Sequence, residues 1–282
     1  MAIAMSSTPA RRSAPPIEER GSAAYVAEFL GTFLLVLFVA LVVIANSPGG
    51  LGVTDWAVIG LVHLLVLMVL VNALGGTSGA HFNPAITATL TALRKITPQD
   101  ALIYVVLQLA GAVAGALVAR ALLSNEGAAV HYGAVGLAHT TKFGGFIGEA
   151  IGAFILMWAV MAAAVNPRAP RGWAGLMIGG ALGLGVMVLG WVTGAGFNPA
   201  RSFGTAVVGH HFNGVGTFVF VWVLGPIFGA FLAGIAHTAI VLRPQAEEFG
   251  VEDVVVGAHG ELIIGEGVGR EHPGERPIDK LE

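Results

Sequence analysis

Two asparagines, Asn83 and Asn198, each open the tripeptide Asn-Pro-Ala, as Asn83-Pro84-Ala85 and Asn198-Pro199-Ala200, and each follows a glycine-rich stretch. Taken singly, such a tripeptide is a helix start: Asn is a preferred N-cap, Pro suits the first helical position and Ala propagates the helix. An Asn acting as a cap spends its side-chain oxygen on a backbone N–H of the next turn, which leaves its NH₂ free to donate. If two such residues face one cavity, a water between them must turn its oxygen toward both amides and its hydrogens toward its neighbours along the file. The two helix N-termini add roughly +0.5 of partial charge each at the same place. That combination disfavours cations and hopping protons and leaves neutral molecules unhindered.

The elements that would hold the two asparagines follow from composition and spacing. Apolar residues make up 55% of the 282-residue chain against 11% charged, with 41 Gly and a mean hydropathy of +0.80, values outside the range of a soluble domain. A spanning helix needs about 20 apolar residues. Runs of that kind cover approximately 23–45, 56–75, 100–123, 143–165, 172–193 and 215–242, which predicts six spans. The segments carrying the two Asn-Pro-Ala copies, about 75–94 and 194–209, are too short and broken to cross and too apolar for plain aqueous loops. They are expected to dip into the bilayer as half-helices.

The chain also repeats itself. Ala27-Glu28-Phe29-Leu30-Gly31-Thr32-Phe33 in span 1 matches Gly148-Glu149-Ala150-Ile151-Gly152-Ala153-Phe154 in span 4, with Glu, Gly and Phe at the same offsets. Each Glu heads a unit of three spans with a broken segment between the second and third. Three is odd, so the second unit must insert upside down relative to the first. The half-helices then enter from opposite sides and Asn83 and Asn198 can meet near the midplane, where irregular backbone is tolerated only if protein buries it or it lines a wet cavity. Glu28 and Glu149, the carboxylates placed inside spans, are suited to accept the N–H groups that a re-entrant loop cannot pair by itself.

At this point the residues resemble the major intrinsic protein family, the aquaporins and aquaglyceroporins. The resemblance rests on 78–87 and 194–204 around the two motifs, on Glu28 and Glu149, on Gln108 in span 3 and on Trp222-Val223-Leu224-Gly225-Pro226 in span 6, and it covers roughly residues 23–242. It implies an all-α membrane protein with an hourglass of six helices and two half-helices, assembled as a homotetramer of independent pores. Asn83 and Asn198 would form the pore junction. Pro84, Pro199 and Gln108 would act with the two glutamates as structural support, and His81, Phe82 and Phe197 are candidates for lining the pore.

The Arg after the second motif, Arg201, would form the narrow constriction of the family, since an Arg at membrane depth must face water or a partner. Family spacing supplies the other three positions: twenty residues before Asn83 stands His63, and twelve and three before Asn198 stand Val186 and Ala195. The set His63, Val186, Ala195 and Arg201 departs from both strict water channels and glycerol facilitators. It is most similar to that of plant tonoplast intrinsic proteins. Val186 in place of a filter histidine predicts a wider, less polar wall, which favours small neutral solutes such as glycerol, urea or ammonia beside water. Ser202, where glycerol-type members have Asp, and Trp222 point instead to water as the main permeant.

Lys and Arg gather at 11, 12 and 20, at 94 and 95, at 168 and 171, and at 243, so both termini are expected in the cytoplasm, with the protein in the plasma (inner) membrane. Residues 1–22 read as a cytosolic tail. The tail at 243–282 holds ten of the seventeen acidic residues and reads as a disordered appendage. The channel domain, 23–242, divides into repeats at about 23–123 and 143–242. The chain has no Cys, and no motif calls for a cofactor, a metal or nucleic acid. Two other classes share parts of this pattern. An inverted-repeat secondary transporter would carry titratable groups at the midplane, where this chain has amides. An intramembrane enzyme would need a Ser/His or paired-Asp constellation that the spans lack.

Overall fold

The structure, a computed structural model, describes residues 20–48, 50–170 and 172–245 and the backbone of 246–248, 254–256 and 262–264. Six helices within it are long and apolar enough to cross a membrane. They are α1 (Ser22–Ala45), α2 (Asp55–Ser78), α4 (Pro98–Leu122), α6 (Lys142–Val160, prolonged by a π-helical turn to Val165) and α7 (Ala174–Thr193). The sixth span, Val215–Gln245, is built of α9 (Val215–Phe218), α10 (Gly225–His237) and the start of α11 (Arg243–Glu248), joined by π-helical stretches at Val219–Leu224 and Thr238–Leu242. Between them lie the half-helices α3 (Pro84–Ala92) and α8 (Pro199–Gly209) and the short α5 (Ser124–Ala128). Beyond α11, Val254–Val256 pairs with Leu262–Ile264 as two antiparallel strands. The rest of that tail, and the N-terminal tail up to residue 19, lie outside the described residues.

The two halves pack alike. In the first, α1 touches α2 and α4; in the second, α6 touches α7 and α10. The halves join through α2 on α7 and by an exchange in which α3 packs on α10 of the other half and α8 on α4. Both chain ends of the bundle lie on one face, here the near face, where the backbone N–H of Arg20 meets Asp100 and the guanidinium of Arg168 meets the carbonyl of Gln245. On the opposite, far face the N–H of Ala138 donates to Val192 O.

Glycine lets the helix backbones approach closely at several crossings. A Cβ on Gly111 or Gly115 of α4 would strike the carbonyls of Phe29 and Phe33 on α1, and one on Gly229 of α10 would strike Ala150 O on α6. Outward stripes such as Leu61, Leu65 and Val69 on α2 and Ile147, Ile151 and Ile155 on α6 are exposed, the surface expected of a bundle solvated by lipid.

Candidate functional site

Each Asn-Pro-Ala copy caps its half-helix as its sequence predicts. Asn83 is extended (φ −155°) and its side-chain oxygen accepts from Ala85 N at 2.9 Å; Asn198 (φ −146°) accepts from Ala200 N at 3.0 Å and Arg201 N at 3.3 Å. Pro84 and Pro199 occupy the first helical position in each case. The NH₂ groups are not wholly free, however. Asn83 Nδ2 donates to Phe197 O at 3.0 Å and Asn198 Nδ2 to Phe82 O at 2.8 Å, so each asparagine fastens the loop of the other half. One amide hydrogen on each remains for the lumen.

The loops leading into the caps repeat one conformation. Gly79, Ala80 and Phe82 have φ of 86°, 50° and 47°, and Gly194, Ala195 and Phe197 have 76°, 48° and 48°. Left-handed backbone at four non-glycine residues is sterically costly and persists only where surroundings enforce it. Glu28 enforces the first: it accepts from His81 N (2.9 Å), Phe82 N (2.7 Å), Ser78 Oγ (2.7 Å) and Gln108 Nε2 (2.7 Å). Glu149 does the same in the second, from Gly196 N at 2.9 Å and Phe197 N at 2.6 Å. Both carboxylates are fully buried. Two aromatic donors complete the frame. Tyr104 OH reaches Ser78 O at 2.8 Å, and Trp222 Nε1 reaches Thr193 O at 3.0 Å, each holding the last carbonyl of a span that feeds a half-helix.

The rings of Phe82 and Phe197 correct one expectation. They do not face the passage: both are fully buried, Phe82 seated on Gly31 and Phe197 on Gly152, and they contribute carbonyls, not side chains, to the junction. His81 does border the cavity; its Nδ1 lies 3.1 Å from Thr87 Oγ1 and its ring meets Tyr104 edge-on.

A narrow cavity of about 30 Å³ is bordered by Asn83, Asn198, His63, His81 and Arg201 among apolar side chains such as Leu67 and Leu182. That is room for a water molecule or two at a time. On the far face a wider vestibule of about 430 Å³ opens, bordered by Trp56, His131, Gly133, Gly190, Gly194 and Arg201. Arg201 borders both, which puts it at the neck between them. Val186 and Ala195 are buried and border neither cavity. On α7, Leu182 borders the narrow cavity and Gly190 the vestibule, with Val186 one turn from each; Ala195 likewise falls between Gly194 and Gly196. His63 stands on α2 between Trp56 in the vestibule and Leu67 in the narrow cavity. Of the four residues expected at a constriction, His63 and Arg201 border the narrow cavity, and Val186 and Ala195 are buried beside it.

Arg201 is 3% exposed and donates through Nη1 to Gly133 O at 2.9 Å, while its Nε has no partner within the protein. Across the neck, His63 Nδ1 lies 2.8 Å from Ile59 O. A carbonyl can only accept, so Nδ1 carries the hydrogen and the buried, unpartnered Nε2 is an acceptor. Sequence reasoning missed Gly133, Tyr104 and Asp100. Gly133 acts through a carbonyl, which no side chain advertises. Tyr104 was one apolar-run residue among many. Asp100, 2% exposed at the first turn of α4, accepts from Tyr25 OH and Thr97 Oγ1, both at 2.6 Å, and from Arg20 N at 3.1 Å, a network that pairs a carboxylate next to a membrane span.

Comparison with known proteins agrees with this architecture. Residues 18–237 match the model of the family described as major intrinsic protein. The chain is 36% identical over 235 residues to the probable aquaporin AqpM of Archaeoglobus fulgidus, covering 74% of this chain and 93% of that protein. It is also 36% identical over 215 residues to the glycerol uptake facilitator protein-like 6 of Lactiplantibacillus plantarum, covering 74% and 94%. The X-ray structure of the aquaglyceroporin from Plasmodium falciparum superposes with a TM-score of 0.69 over 80% of this chain and 98% of that one, at 22% identity, a likeness of fold. Six spans, two exchanged half-helices and the matched sequence together make the chain a member of the major intrinsic protein family, an integral membrane channel of the aquaporin and aquaglyceroporin kind and not an enzyme.

Proposed function

We propose that the chain is a passive channel whose main permeant is water, with ammonia, urea or glycerol admitted more slowly and with ions and protons refused. The observation that carries this reading is the polarity of the neck. Arg201 offers fixed donors, His63 Nε2 offers an acceptor, and the narrow cavity that both border has room for a water molecule or two. A neutral molecule that both accepts and donates satisfies both walls. A cation meets the charge of Arg201 and then the positive ends of α3 and α8, which converge on the junction. At the junction one free N–H from each of Asn83 and Asn198 orients the passing oxygen and breaks the line along which a proton would hop.

Under this reading the near face is cytoplasmic, since Arg20, Arg94, Lys95, Arg168 and Arg243 gather there. Water and small neutral solutes are the partners, the plasma (inner) membrane the site, and four copies the assembly, as the family resemblance implies. A second reading, a glycerol, urea or ammonia facilitator with water secondary, draws on Val186, whose small apolar side chain leaves one wall of the neck without a donor. Relatives bearing both kinds of name support keeping it.

Stopped-flow light scattering on proteoliposomes decides between them. Fast osmotic shrinkage with low activation energy and slower entry of glycerol, urea and ammonia is expected; glycerol as the faster permeant would establish the second reading. Saturable, gradient-coupled flux would overturn both. Arg201→Val should raise glycerol permeability several-fold and open a proton leak, and unchanged selectivity would remove Arg201 from the filter.

A further inference from the structure

The loop that supplies Gly133 is strained and clamped. His131, Tyr132 and Gly133 follow one another in the left-handed region, with φ of 47°, 53° and 78°. Such a run survives only where its neighbours over-determine it, and two clamps do so. Tyr132 lies beneath the Arg120 guanidinium, 5.3 Å from ring centroid to Cζ, and its hydroxyl donates to Ser124 O at 3.0 Å. His131 stacks on His211, with centroids 4.1 Å apart and planes 13° from parallel. His211 follows the end of α8, the half-helix that begins at Asn198 and carries Arg201, and its N–H donates to Ala206 O at 3.0 Å. The stack therefore ties the loop bearing the Arg201 anchor to the helix bearing Arg201 itself, from the opposite end.

We propose that His131 and His211 are positioning residues for Arg201, and that charging both imidazoles in acid opens the stack, frees Gly133 and lets the guanidinium lean into the neck. The surroundings set the sign. His131 borders the open vestibule, so protons reach it from the far side. Around the pair stand Arg120 on α4, Arg201 and His139 in the vestibule, and His210 at the cap of α8; α5 carries the carboxylate Glu126, and the α1 residues that meet the loop, Ala40 and Val43, are uncharged. One proton is tolerated, because the C-terminus of α8 favours a cation. A second sets two like charges face to face among two arginines. Burial and the His131 charge hold the His211 imidazole below the ordinary histidine range, against a side-chain hydrogen bond with Asn213 that supports the charged form.

The inference rests on Arg201 lining the constriction, and its test separates the two. Osmotic water permeability of proteoliposomes is measured at about pH 7.5 and about pH 5, a range that titrates histidine. The wild type is expected to lose permeability several-fold in acid. His211→Phe and His131→Phe keep an aromatic stack that cannot charge, and both should conduct equally at the two pH values. His211→Ala, which removes the stack, should conduct poorly at both. An acid-insensitive wild type, an acid fall in both Phe variants equal to that of the wild type, or a fully active Ala variant would each overturn the positioning role. Unchanged selectivity in Arg201→Val would instead overturn the filter assignment, and the latch with it.

Discussion

Ser202 and Thr87 occupy equivalent places in the two halves, each four residues after its capping asparagine, yet their hydroxyls keep different company. Thr87 Oγ1 donates to Asn83 O at 3.1 Å and takes a hydrogen from Gln108 Nε2 at 3.0 Å. Ser202 Oγ is buried and has no partner within the protein. An unpaired buried hydroxyl costs about 1–3 kcal/mol, whereas removing one partner of a satisfied set leaves the other orphaned. Ser202→Ala should then be neutral or stabilising. Gln108→Leu should cost about 2 kcal/mol, because it strips a donor from Glu28 as well as from Thr87. Thermal unfolding in detergent compares them; a Ser202→Ala loss as large as that of Gln108→Leu would show that the serine is paired. Lys95, outside the spans, gives a pH-dependent counterpart. Burial pushes its ammonium down to about 8 from 10.5. The unfolded chain binds the extra proton between those values, so stability rises with pH across that window. Lys95→Met should be more stable than the wild type at neutral pH and show a flatter rise through the same window, as unfolding temperatures would record; parallel curves would refute it.

At the scale of elements, the helix crossings make the sharpest claims. Gly229 lets α10 lie against Ala150 on α6, and no side chain fits between them. Gly229→Leu should destabilise by about 1–3 kcal/mol or disrupt assembly of the bundle. Gly76, on the exposed side of α2, meets nothing within contact distance, so Gly76→Ala should gain up to about 1 kcal/mol from helix propensity. Equal effects of the two, judged by unfolding temperature and monodispersity, would contradict the packing. These elements were largely legible beforehand. Apolar runs located all six spans within a few residues, and the Asn caps located both half-helix starts. The end of α2 was read short, at 75 instead of Ser78, because Gly75-Gly76 resembles a break. The helix continues since Ser78 is held by Glu28 and Gly79 caps it in the left-handed region, contacts that no local pattern contains. The direction of the Phe82 and Phe197 rings was illegible for a similar reason: it depends on left-handed backbone that Glu28 and Glu149 enforce from distant helices.

For the whole molecule, the question is whether one continuous passage runs from near to far face through the neck, and the absence of cysteine makes that testable. Mercury ions act on thiolates, so the wild type should conduct unchanged in their presence. A thiol introduced at the neck should change that. Val186 lies on α7 one turn from Leu182 in the narrow cavity and one turn from Gly190 in the vestibule, so a mercury atom bound there is expected to obstruct the passage between the two. Val58, half-exposed on the outer side of α2, faces away from the passage and serves as the control. Val186→Cys is expected to conduct water, to be blocked by mercury and to recover with excess small thiol, while Val58→Cys and the wild type are unaffected. Block of the wild type would mean that mercury reaches the pore by chemistry other than a thiol. A Val186→Cys channel indifferent to mercury would place the neck elsewhere, and with it the residues that select the permeant.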